Sequence, residues 1–76
     1  MAAAREWRPG DRVVLAGAPG ELARLEGEHG TVVVGGLVAV VRFDSAKLLA
    51  GRLRREVAVG SAWLVDEPGA QRAGAG

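Results

Sequence analysis

The chain has no cysteine and no tyrosine, one histidine, three prolines and three aromatic residues: Trp7, Phe43 and Trp63. Each shortage removes a class of function. Without cysteine there is neither a disulfide framework nor a thiolate metal site, which fits a reducing cytosol. A lone histidine with no recurring carboxylate–histidine spacing makes a poor metal or general-base centre, so His29 is read as a loop-structural or exposed residue. Three aromatics are too few for a proline-binding groove or a methyl-lysine cage. Residues 1–6 lack the apolar run of a signal peptide. The longest apolar stretch, residues 31–41, is interrupted by Gly35-Gly36 and is too short to span a bilayer. The chain therefore reads as soluble and cytoplasmic.

Catalytic and phosphate-binding motifs are missing too. Ser45 and Ser61 have no neighbouring histidine to activate them. Gly17, Gly20, Gly27 and Gly30 match neither a P-loop nor a dinucleotide fingerprint, and turn geometry explains them. Asp44, at a strand end after Phe43, reads as a turn-capping carboxylate that accepts backbone amides. No catalytic residue, cofactor or metal is expected.

What is present is β-branched and aliphatic. Seventy-six residues make one small domain that buries only about 60% of its unfolded surface, so its stability margin is narrow. Pro9-Gly10-Asp11 is turn chemistry, and Arg12-Val13-Val14-Leu15 reads as the first strand. Residues 16–30 form a long Gly-rich connection. Within it residues 21–26 suit one helical turn, with Leu22 and Leu25 facing the core. Thr31-Val32-Val33-Val34 is a second strand, Gly35-Gly36 a two-residue hairpin turn, and residues 37–43 a third strand. Residues 44–51 read as a loop. Residues 52–59 form a fourth strand, with Leu53, Arg55, Val57 and Val59 on a mostly apolar face and Arg52, Arg54, Glu56 and Ala58 on the other. Gly60-Ser61-Ala62 is a turn, and Trp63-Leu64-Val65 closes the domain. Trp63 is read as core, and Trp7 either as a plug or as a free anchor. Residues 1–8 are taken as a flexible lead and 67–76 as a disordered tail. The expected fold is all-β: a single five-stranded SH3-like barrel, closed or nearly closed, over residues 9–66, because closure would protect Val-rich strands from edge pairing.

The order of these features resembles the SH3-like small barrels. The residues that carry the resemblance are Pro9-Gly10-Asp11-Arg12-Val13-Val14-Leu15, the stretch Leu25-Glu26-Gly27-Glu28-His29-Gly30-Thr31-Val32-Val33, Val40-Val41-Arg42-Phe43-Asp44, and Val57 with Trp63-Leu64-Val65. They follow the pattern "G-D-x-V", "G-x-x-G-x-V", "V-x-F-D" and "V…L". Domains of the KOW type, the small stromal subunit of photosystem I and the barrel of the nitrile hydratase β subunit look similar. KOW kinship implies RNA or ribosome contact near residues 27–31. Photosystem kinship implies docking of electron carriers. The barrel implies no single function.

Net charge is +1, but residues 41–55 set Arg42, Lys47, Arg52, Arg54 and Arg55 against Asp44 alone. These five cations are the candidate partner-binding residues. The first expectation is a non-catalytic protein-interaction or accessory-subunit module, using residues 16–30 and 42–55. The alternative is a KOW-like RNA- or DNA-binding barrel that uses the same basic face.

Overall fold

The computed structural model describes residues 6–69. It is all-β. A single antiparallel sheet of five strands carries the order β4-β3-β2-β1-β5. The strands are β1 (Arg12–Leu15), β2 (His29–Val34), β3 (Val38–Leu49), β4 (Arg52–Gly60) and β5 (Leu64–Asp66). A 3-10 helix at Gly20–Leu25 joins β1 to β2, and a second at Ser61–Trp63 joins β4 to β5.

Local chemistry accounts for most of the path. At Pro9-Gly10-Asp11 the buried Asp11 carboxylate accepts the Arg8 amide at 2.9 Å and locks the turn into β1. Alternation in β1 buries Val13 and Leu15. In the 3-10 helix Leu25 is buried and Leu22 packs on the core, as their three-residue spacing predicts. Phe43, Val32, Val41, Val57, Val59 and Leu64 complete a mainly aliphatic core around the rings of Phe43 and Trp7.

Several sequence expectations are corrected. The sheet is not closed: among the described residues β4 and β5 are its two edges and do not pair with each other. Gly35-Gly36 is not a two-residue hairpin turn. The last β2–β3 pair is Val34↔Val40, and Gly36 bridges instead to Trp7. Trp7 is therefore no free anchor; it is buried, and its indole N–H donates to the Ser61 carbonyl at 3.3 Å. Trp63 is half-buried at the margin of the core, not inside it. Residues 1–5 and most of the predicted tail, residues 70–76, lie outside the described residues.

The largest correction concerns residues 44–51. They form no loop: β3 runs on to Leu49 and pairs with β4 through Lys47↔Arg54, Leu48↔Leu53 and Leu49↔Arg52. Ala50-Gly51 closes this hairpin with φ of 49° and 78°, the two left-handed residues of a type I′ turn. Between Arg42↔Glu56 and Lys47↔Arg54 the register slips, so residues 43–46 face Arg55 alone. The Arg55 guanidinium donates to the carbonyls of Phe43 (3.0 Å) and Asp44 (3.2 Å), satisfying acceptors on the bulged strand. The slip also breaks the apolar face expected of β4. Val57 and Val59 are buried, but Leu53 is 74% exposed beside Leu48.

Ala50 carries a Cβ in a conformation that suits glycine or asparagine. Ala50→Asn creates the Asn-Gly pair preferred in such turns. It should stabilise the chain by about 1 kcal/mol, raising Tm by about 4–8 °C in thermal denaturation. An unchanged or lower Tm would show that the turn conformation is wrong.

Candidate functional site

The basic stretch divides into engaged and free cations. Arg42 and Glu56 face each other across β3 and β4, and the Arg42 Nε donates to Glu56 at 2.9 Å. Lys47 Nζ lies 2.7 Å from the Glu28 carboxylate. Arg55 is turned onto the bulge carbonyls. Arg52 and Arg54 are exposed, and neither makes a side-chain hydrogen bond or ion pair among the described residues. They stand two residues apart near the end of the long hairpin. Lys47 stands directly across from Arg54, with Arg52 on the same side of β4, so three of the five candidates share a face of the hairpin, and among the described residues two remain available. Surface ion pairs of this kind contribute about 0–1 kcal/mol each; their main effect here is to neutralise the cations.

The hairpin itself was missed by sequence reading. Twelve residues of β3 at about 3.3 Å each reach roughly 40 Å. The longest dimension of the molecule is 40 Å. On this arm Leu48 (57% exposed) and Leu53 (74%) form an uncovered apolar pair beside the free arginines. The signal that could have revealed it was Leu48-Leu49 and Leu53 placed either side of Ala50-Gly51, a short apolar pair about a two-residue turn. The aromatics add nothing to this surface. Trp7 and Phe43 are buried, and Trp63 is half-buried at the other end of β4.

A second polar cluster was also missed. The Arg12 guanidinium binds both Asp44 oxygens (2.7 and 2.8 Å), a Glu67 oxygen (2.8 Å) and the Thr31 hydroxyl oxygen (2.9 Å). His29 Nδ1 is 2.6 Å from the same Glu67 carboxylate. Asp44 therefore binds a side chain and does not cap a turn with backbone amides. The cluster joins β1, β2 and β3 to Glu67, just past β5. Glu67, the first residue of the predicted tail, is thereby tied to the sheet. Hydrogen bonds from Arg12 hold the Asp44 carboxyl below the usual carboxylate range; Arg12, then His29, do the same for Glu67. Arg12 is correspondingly raised by Asp44 and Glu67. All of these groups are turned toward one another, an arrangement suited to tying strands together.

The pH consequence follows from the sign of those shifts. A carboxylate whose folded pKa is depressed stabilises the fold above its unfolded value, near 4, and loses that contribution as pH falls through the folded value. Thermal unfolding should show the wild type losing its advantage over Arg12→Met as pH drops from about 5 to 2. A constant difference across that range would mean that the cluster contributes nothing.

In the connection from β1 to β2, the Glu26 carboxylate accepts the Gly17 amide at 2.8 Å, and Glu28 holds Lys47. The segment near residues 27–31 thus presents carboxylates, not free cations. Among the described residues no group of three His, Asp or Glu could hold a metal ion. No helix among them is long and apolar enough to cross a membrane. No protein-family model, curated protein or solved structure matches the chain.

Proposed function

We propose that the chain is a non-catalytic interaction or accessory module, built as a partly open SH3-like barrel, that recognises its partner with the β3–β4 hairpin. Two features support the barrel reading. β1 pairs with β2, β2 with β3 and β3 with β4, and β5 returns to lie beside β1. The core residues of all five strands form one cluster, which Trp7 and Leu25 join. A sheet that gathers its apolar face in this way is curled round it.

The observation that carries the functional reading is the hairpin arm. It combines Leu48 and Leu53, large, apolar and uncovered, with two cations that no carboxylate among the described residues neutralises. Exposed apolar side chains rimmed by charge mark recognition surfaces. The arm adds length to the molecule and brings only Leu49 into the core.

The test compares immobilised wild type with the variant Arg52→Glu/Leu53→Ser/Arg54→Glu in extracts of cells that make the protein. These positions are exposed, so the variant should keep the wild-type circular dichroism spectrum. Partners retained by wild type and released by the variant are the expected result. Identical retention by the two baits would remove the hairpin from recognition.

A further inference from the structure

β4 is an edge strand of nine residues, whereas the opposite edge, β5, has three. Among the described residues no strand pairs with the outer side of β4. Its backbone there is a template for another strand. The two-residue turn makes Leu49↔Arg52 a hydrogen-bonded pair, so the next residue, Leu53, directs its N–H and C=O away from β3. Arg52 and Arg54 project to one side of β4, separated by two strand rises, roughly 6.7 Å. Leu53 projects to the other side, next to Leu48.

We infer that the outer edge of β4 takes up an extended acidic peptide as a sixth strand, with acidic residues at alternate positions flanking one apolar residue. This rests on the reading of the hairpin as a recognition arm and names its partner. Carboxylates two residues apart on the added strand stand opposite Arg52 and Arg54. The apolar residue between them falls beside Leu53 and extends the Leu48–Leu53 pair. Opposite charges directly across a strand pair attract, and like charges repel. Cationic side chains protect an edge against neutral and basic strands, but they favour an acidic one.

The same charges disfavour a second copy of this chain. Antiparallel self-pairing centred on Leu53 sets Arg52 of each copy against Arg54 of the other. Centring on Arg54 sets Arg54 against itself. The bulge at Arg55 bounds the site on one side and the Ala50-Gly51 turn on the other, which leaves a short segment of three residues. So short a match calls for a weak, salt-sensitive contact.

The probe is a labelled nine-residue peptide with glutamates flanking a central valine, followed by fluorescence anisotropy, with amide exchange of the protein measured by NMR. Saturable binding is expected. It should weaken at least tenfold in Arg52→Glu/Arg54→Glu, and exchange of the Leu53 amide should slow when peptide is bound. N-methylation of the central valine removes the donor needed for edge pairing but keeps the side chain, and should weaken binding at least tenfold. Equal binding of the plain and methylated peptides overturns strand addition. So does a ten-nucleotide oligothymidylate that binds as tightly as the peptide, or dimerisation of the free chain through β4. If partner capture depends on the hairpin while the methylated peptide binds normally, the arm remains a recognition surface and only strand addition fails. If charge reversal changes neither capture nor peptide binding, both readings fail.

Discussion

Trp7→Ala should destabilise the chain by about 3–5 kcal/mol, although Trp7 precedes the first strand. The residue is 2% exposed and belongs to the core cluster. Removing a buried tryptophan costs about 3–5 kcal/mol, because the cavity does not close fully. A chain of 76 residues has total stability of about 4–11 kcal/mol, so one such loss takes a large share of it. The indole also donates to the Ser61 carbonyl, a hydrogen bond that is lost with it. Trp7→Phe keeps an aromatic ring but loses this donor and part of the indole's volume, so it should cost less than Trp7→Ala. Urea denaturation of the three proteins provides the check. A loss below about 1 kcal/mol for Trp7→Ala would mean that the ring does not occupy the core.

Gly35→Ala should also be damaging, through contact and not through backbone conformation. A Cβ at Gly35 would stand 2.2 Å from the Trp7 carbonyl oxygen and 3.2 Å from the Pro9 side chain. The near atom is backbone, so the chain itself has to move. That movement strains the reciprocal hydrogen bonds between Trp7 and Gly36, 3.3 and 3.0 Å long. Overpacking of this kind typically costs about 1–3 kcal/mol. Because the alanine acts on the segment that holds Trp7 in place, the two substitutions should not add. Trp7→Ala/Gly35→Ala should be less destabilised than the sum of the singles by about 1 kcal/mol or more, measured in a double-mutant cycle. Full additivity would show that Gly35 and Trp7 act independently.

Both predictions concern a contact that no local pattern announces. Trp7 and Gly36 are far apart in sequence, and Gly35-Gly36 between two valine-rich segments carries the composition of a tight hairpin. The structure uses these glycines differently: one admits the close approach of the Trp7 carbonyl, and the other pairs with Trp7. Asp44 shows the same limit. Acidic residues after a strand commonly cap turns. Here the nearest strong donor is Arg12, brought alongside by the pairing of β1, β2 and β3.

The candidate site was half legible. Its cations are visible in the sequence, but their availability is not. Glu56 and Glu28 neutralise Arg42 and Lys47 only because the hairpin and the β1–β2 connection place them there. Residues 44–47 are polar and poor strand formers, so intrinsic preference favoured a loop. Pairing with β4 and the turn at Ala50-Gly51 overrode it.

The all-β class, the limits of β1, the short helical turn that buries Leu25 and the location of the last strand can be read from residue order. Each depends on turn chemistry or on side-chain alternation over a few neighbours. The open edges of the sheet, the length of the hairpin, the register slip at Arg55 and the Arg12 cluster required the folded chain. They depend on which distant segments meet, and a slip between two strands changes which side chains face solvent without changing any residue.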